Sequence, residues 1–282
     1  MKTYQYYIHQ SAALLKDCAV KLSSINYASN SLRTINDVKT ITKLANQSDT
    51  LVFVDAAQYV PHGPTDVQNI GCDFLVCSPY KFFGPHQGVL WGKAEMLEKL
   101  EAYKVRPADN TSPGKFETGT QLHEGQAGTL GVLEYLEWLG ETMCEEYHAN
   151  FPEFSGRRKK LHAAMLAIQS YEQTLSSKLI EGLQNLAGVD VKGISAGKDL
   201  ARRVPTVSFT VEKQNPEEIA NKLAAENIFV WHGHNYALEA IRLMGLEESG
   251  GVVRIGPVHY NTLEAVSYTH LRAHETDSYL VC

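Results

Sequence analysis

The two residues with the most to offer chemically are Asp55 and Lys81. Asp55 closes the apolar run Leu51 to Val54, and Ser78 closes a second run, Phe74 to Cys77. Lys81 follows Ser78 by three residues and precedes Phe82-Phe83-Gly84-Pro85. In open α/β sheets, ligands gather beyond the carboxyl ends of the strands. An acid and a lysine at neighbouring strand ends suit pyridoxal phosphate (PLP). The amine forms a Schiff base, and the acid keeps the pyridine nitrogen protonated so that the ring accepts electrons. A lysine desolvated in such a cleft also has its pKa lowered, as a nucleophilic amine requires. Taken singly, each residue has a plainer explanation: an Asp after a strand commonly serves a turn, and a Lys is commonly solvated.

Two other constellations compete. Gly193-Ile194-Ser195-Ala196-Gly197 fits the GxSxG elbow of serine hydrolases, which needs a strand before it and a helix after it. Lys198 to Arg203 and then Pro205 leave no room for a helix of normal length, so this stretch reads as a loop and a hydrolase is the remote alternative. His232 and His234 flank one residue, but a pair lacks the third ligand and supporting shell of a catalytic zinc site. They are expected to line a substrate mouth, and no metal is expected.

The elements that must position these groups can be read from periodicity. A short strand is expected over Lys21 to Asn26, and a helix over Asn36 to Ala45 with Val38, Ile41, Thr42 and Ala45 on one face. The runs at Leu51, at Phe74 and at Gly88 to Trp91 read as strands buried on both faces, as in parallel sheets covered by helices. Long helices follow over Thr129 to Tyr147, striped by Leu130, Leu133, Leu136 and Leu139, and over Arg157 to Leu186. The second stripe runs through Leu161, Met165, Ile168, Leu175, Leu179, Leu183 and Leu186. Val207, Phe209 and Val211 alternate with polar residues, the pattern of a half-buried strand. Asn215 and Pro216 open a further helix, with Glu218 placed to reach back. Short strands at Ile228 to Trp231 and Val252 to Ile255 flank a helix near Ala237 to Met244. An interleaved α/β layer followed by a smaller α+β region is the expected architecture.

With 282 residues and 44% hydrophobic content, the chain can build one large domain or two modest ones. A net charge of -6 and the absence of any basic cluster remove a general pull toward nucleic acid or anionic membrane, so neither is expected as a partner. Five cysteines, Cys18, Cys72, Cys77, Cys144 and Cys282, form no CxxC pair and are widely spaced, as reduced cytoplasmic thiols would be. The first ten residues lack the apolar core of a secretory signal.

The stretches Val54-Asp55-Ala56-Ala57-Gln58 and Cys77-Ser78-Pro79-Tyr80-Lys81-Phe82-Phe83-Gly84-Pro85 resemble the core signature of class V aminotransferases, in their cysteine desulfurase-like branch. The resemblance continues at Tyr27-Ala28-Ser29-Asn30, at Phe116 to Gln121, at Val253-Arg254-Ile255-Gly256 and at Tyr260-Asn261-Thr262, and covers roughly residues 14 to 265. It implies the fold type I architecture of PLP enzymes, aspartate aminotransferase-like: a mainly parallel α/β large domain over residues 1–150, here partial, then a linking helix and small α+β domain over 151–265. By the same resemblance Lys81 carries the cofactor and then the Cα proton, Asp55 pairs with the pyridine nitrogen, and Gln58 bonds the ring hydroxyl oxygen. Asn30 lies beside that hydroxyl and the substrate, and Ser78 and Tyr80 meet the phosphate, Tyr80 standing where many relatives have His. Thr120 binds the phosphate held by a second subunit, which implies a homodimer with shared sites. Arg254 clamps the carboxylate of an amino-acid substrate, with His234 and Tyr236 at the substrate mouth.

Three departures qualify that expectation. Desulfurases attack sulfur with a thiolate on a mobile loop; the matching loop here is Gly233 to Ala237, with Tyr236 in the nucleophile's place, and a phenol cannot accept sulfur as a persulfide. Transamination, epimerisation and β-elimination stay open. The segment that precedes Ser29-Asn30 in relatives is shorter here, so the chain resembles a fragment, and an inactive remnant or a non-catalytic folded module is the alternative. Ser267 to Thr276 resembles translated sequencing adapter, and residues 266–282 are expected to be a non-native tail.

Overall fold

A computed structural model describes residues 13–15 and 20–269; Cys18, Cys282 and most of the expected non-native tail, residues 270–282, lie outside them. The chain divides into two compact units, one of residues 1–27 and 37–164, the other of residues 28–36 and 165–282. The division falls inside a long helix, between Ala164 and Met165, where the sequence reading placed it near residue 150.

The first unit carries a four-stranded sheet in the order β1 (Leu22–Asn26), β2 (Leu51–Asp55), β3 (Phe74–Cys77), β4 (Val89–Gly92). Both β1–β2 and β2–β3 are parallel. Helix α1 (Val38–Asn46) buries Val38, Ile41, Thr42 and Ala45, the face read from the sequence, and Asp37 caps it by accepting from Thr40 N at 3.0 Å. Val38 and Ala45 join Val52, Val54, Ala56, Ile70, Cys72 and Leu75 in one core. A short α2 (Val67–Ile70) ends at Gly71, whose φ of 78° is the left-handed stop that glycine adopts freely. Beneath the sheet's amino edge, buried Asp73 accepts from Val52 N and from Lys93 Nζ, both at 2.8 Å, tying β2 to the end of β4.

Two expectations are corrected in this unit. The third apolar run is an antiparallel edge strand, with Val89 and Leu90 exposed, because the chain turns back after β3 and the described residues supply no neighbour on its far side. After α3 (Ala94–Lys99) comes α4 (His123–Thr142), which buries Gly125, Val132 and Gly140 together with Leu136; of the expected leucine stripe, Leu136 is buried, Leu133 and Leu139 are half-buried and Leu130 is exposed. The reason is close approach: a Cβ at Gly140 would stand 2.1 Å from the Lys160 carbonyl oxygen of α5 (Gly156–Gln184). Glycine shares this buried face with Leu136, and Leu130 stands off it.

The second unit is an antiparallel sheet in the order β5 (Val189–Lys192), β6 (Val207–Val211), β8 (Val252–Ile255), β7 (Trp231–Gly233). Its core gathers Leu175, Leu179, Ile180 and Leu183 of α5 with Phe209, Val253, and Ile219 and Leu223 of α6 (Pro216–Ala225). Asn215 caps α6 by accepting from Glu217 N at 2.8 Å. The strand β6 is not half-exposed as expected: Val207, Ser208 and Phe209 are all buried, since Ser208 Oγ donates to the Ser31 carbonyl at 2.9 Å and that segment covers the other face. β7 begins at Trp231, leaving Ile228 in the core but outside the strand, and α7 is Leu238–Leu243. Ser195 sits in a loop before a 3-10 turn, Gly197–Arg202, so the strand-to-helix elbow of a hydrolase is not formed. No helix among the described residues is long and apolar enough to cross a membrane.

Candidate active site

The candidate residues fall into both units, and each group is built by its own unit. In the first, the parallel pairing of β2 and β3 sends both carboxyl ends to the same edge. Asp55 is level with Val76, two residues short of Ser78. Asp55 is exposed there, and its Oδ1 accepts from Ala57 N at 3.0 Å, which turns the chain immediately after the strand. Gln58 is half-buried on that turn.

The stretch after β3 is a single 3-10 turn, Pro79–Phe82, with Ser78 at its cap position. The Ser78 hydroxyl does not cap it, so this oxygen is uncommitted within the turn. Lys81 N donates to Ser78 O at 3.0 Å, and Phe83 closes the turn in the left-handed region at φ 74°. Gly84 follows because its position is crowded: a Cβ would lie 3.0 Å from Pro79 Cβ and 3.1 Å from Val132. Packing therefore fixes the backbone that carries Lys81. Tyr80 is exposed and stacks on His86 with ring centroids 5.3 Å apart. Thr120 is exposed beside Gly119, whose φ is 84°.

Sequence reasoning missed a support behind Asp55. Tyr27 N donates to Asp55 O at 2.7 Å, and the Tyr27 ring stacks on Tyr59 at 3.8 Å. Burial, and then the hydrogen-bonded Tyr59, push the Tyr27 phenol well above its ordinary value, so it stays neutral. The signal was present as two aromatics, Tyr27 opening one quoted motif and Tyr59 one residue beyond another. The described cysteines behave as core residues: burial raises the Cys72 thiol to about 11 and also raises Cys77 and Cys144, which keeps all three protonated.

In the second unit, Arg254 lies half-buried on β8, level with both Ser208 and Trp231, and burial lowers its guanidinium. Asn30 Nδ2 donates to the Asn235 carbonyl at 2.6 Å, so Asn30 holds the loop after β7. That loop places Asn235 and Tyr236 consecutively at φ 51° and 58°, a conformation non-glycine residues rarely adopt. Tyr236 is 95% exposed, and its N–H donates to His234 Nδ1 at 3.1 Å, with the two rings edge to face. His232 is half-buried on β7. Among the described residues, no group of three or more His, Cys, Asp or Glu side chains is placed to hold a metal ion.

The family described as aminotransferase class-V matches residues 2–156 and 160–268, nearly the whole chain. The chain belongs to that family. It is 30% identical over 258 residues to a probable cysteine desulfurase of Halalkalibacterium halodurans, covering 87% of this chain and 55% of that one. It is also 30% identical over 250 residues to an aminotransferase-like protein of Gibberella zeae, covering 87% and 56% respectively. Among solved structures, the apo cysteine desulfurase from Thermococcus onnurineus superposes with a TM-score of 0.81 at 26% identity, over 97% of this chain and 63% of that one. The chain thus spans about half the length of the curated relatives it matches. The fold class read from the sequence, type I α/β with a predominantly parallel sheet, agrees with these structural neighbours.

Proposed function

We propose that this class V chain belongs to a PLP enzyme acting on an amino acid, with Lys81 as the cofactor-bearing lysine. The supporting observation is the parallel register of β2 and β3, which brings Asp55 and the Ser78-to-Lys81 turn to one sheet edge. The donor set fits the group: an exposed carboxylate, a hydroxyl not spent on capping, and a lysine on a packed turn. When bound, PLP supplies an electron sink for charge that develops at the substrate Cα.

The chain's own residues do the rest. Asp55 holds a proton at the ring nitrogen, and the Tyr27 hydrogen bond to its carbonyl keeps its strand end in place. Lys81 Nζ would hold the cofactor and carry the Cα proton. Gln58 and Asn30 hold the ring hydroxyl, Ser78 and Tyr80 the phosphate, and Thr120 a phosphate held by a second subunit of a homodimer. Arg254 orients the substrate carboxylate through its planar fork. His234 and Tyr236 stand at the mouth and select what enters. A soluble cytoplasmic enzyme is the setting this reading implies.

Sulfur transfer by a thiolate on the 233–237 loop is not part of the proposal. Tyr236 occupies that loop, and the three described cysteines are held protonated by burial. The test is spectroscopic. Adding PLP to the protein gives a visible absorption band, and Lys81→Ala removes it; an unchanged band in the variant refutes the assignment. Amino acids presented to the PLP-loaded protein are then scored for keto acid, racemised product, alanine and sulfide. The reading requires keto acid or racemised product ahead of sulfide.

A further inference from the structure

The turn from Ser29 to Arg33 is fastened to the second unit's sheet at several points. Arg33 N donates to Ser29 O at 3.2 Å, and Leu32 N donates to Ser29 Oγ at 3.0 Å. Ser31 O accepts from Ser208 Oγ at 2.9 Å, and Ser208 is the register partner of Arg254. Arg33 O accepts from Val204 N at 3.0 Å, while Thr34 bridges to Arg203. This lashing holds Arg33 at φ 64°, in the left-handed region, and it needs Gly193, where a Cβ would stand 2.2 Å from Leu32 O.

The outcome is a guanidinium that is 1% exposed, with Nε and Nη2 lacking any hydrogen-bond partner. Those two groups lie along one edge of the planar fork, the edge that takes both oxygens of a carboxylate. Arg203, beside it, spends its donors differently, on the carbonyls of Ile194, Val204 and Thr206. Burial, then the neighbouring charges of Arg254 and Arg203, push the Arg33 guanidinium down to about 8. The same turn holds a second buried orphan, Ser31 Oγ. A sealed cation with a vacant edge is costly unless an anion completes it.

We propose that the Nε–Nη2 edge of Arg33 receives a second carboxylate, so that the enzyme's substrate is an amino acid with an acidic side chain. The inference rests on Arg254 being the clamp for the α-carboxylate. One carboxylate fills one fork bidentately and balances one charge; Arg33 then still needs an anion of its own. Arg254 is near enough for its charge to act on Arg33, so a dicarboxylate balances both guanidiniums where a monocarboxylate balances one.

Calorimetric titration of the intact chain with succinate and with propionate, at matched ionic strength, tests this without the cofactor. Succinate binds at least about tenfold more tightly than propionate. Arg33→Met, which keeps side-chain length and removes the fork, brings the two ligands together while leaving propionate binding in place. Arg33→Lys keeps the charge and loses most of the preference, and it serves if the methionine variant does not fold. Equal binding of the two acids to the unaltered chain, or a preference that survives both variants, overturns the proposal. Borohydride reduction of the unaltered chain after PLP treatment separates the two readings. A succinate preference with no pyridoxyl adduct on Lys81 leaves the Arg33 site standing and removes the cofactor reading, whereas an adduct on Lys81 with no preference removes only the Arg33 site.

Discussion

The two units handle polar groups in opposite ways. In the first, Asp55, Tyr80 and Thr120 are exposed, and the buried polar chemistry serves the scaffold, as in the Asp73–Lys93 pair at the other edge of the sheet. In the second, charge is sealed inside: Arg33 and Arg203 are buried, and Arg254 is half-buried. An exposed group at a strand tip costs little to hold and can meet a cofactor from solvent. A buried guanidinium is expensive, and it persists where carbonyls, as around Arg203, or an anion offset the cost. Under the proposed reading, the contrast separates groups that carry chemistry from groups that select what undergoes it.

The largest expected effect comes from breaking the backbone that seals the second unit. Gly193→Ala adds a Cβ against Leu32 O at a φ of 82°, and should cost about 3 kcal/mol in urea unfolding. A loss under about 1 kcal/mol would mean that the turn is not held where the account needs it. The scaffold pair of the first unit ranks next. Asp73→Asn removes the charge from a side chain that receives both Val52 N and Lys93 Nζ, and should cost about 2 kcal/mol, since Lys93 keeps some access to water. Unchanged stability would show that the pair does not organise the sheet.

Smaller effects sharpen the comparison. Asn30→Ala removes the bond to the Asn235 carbonyl, and amide exchange over residues 233–237 should quicken roughly fivefold, about 1 kcal/mol of local opening. Exchange that does not change would free Asn30 from any part in holding that loop. The smallest effect is itself diagnostic. Arg33→Met should leave the melting temperature of the unliganded chain unchanged or raised, because it removes two unpaired buried donors. A marked fall would make Arg33 a scaffold residue like Asp73 and erase the distinction between the units.

What could be read from the sequence followed the range of the interactions involved. The strand Phe74–Cys77 and the four buried positions of α1 were legible because periodicity within a few residues determines them. The positions of Asp55, Ser78 and Lys81 at and after strand ends were legible for the same reason: they close or follow local apolar runs. The β4 run was misjudged because its apolar content resembles that of a covered strand, and only the sheet order reveals an edge. The stripe of α4 was legible only in part: Leu136 is buried as read, but Gly140 meets another helix and Leu130 is left exposed. Arg33 gave no signal at all. Its burial depends on Ser208 and Val204, far along the chain, and nothing in the string Ser31-Leu32-Arg33 marks the residue as anything but solvated.

The assignment of Lys81 is tested most directly by reducing the PLP-treated protein with borohydride and mapping the modified peptide by mass spectrometry. The account predicts a single stable pyridoxyl adduct on Lys81, within the peptide that contains Ser78 to Pro85. An adduct on another lysine, or none on Lys81 when PLP is bound, would contradict it.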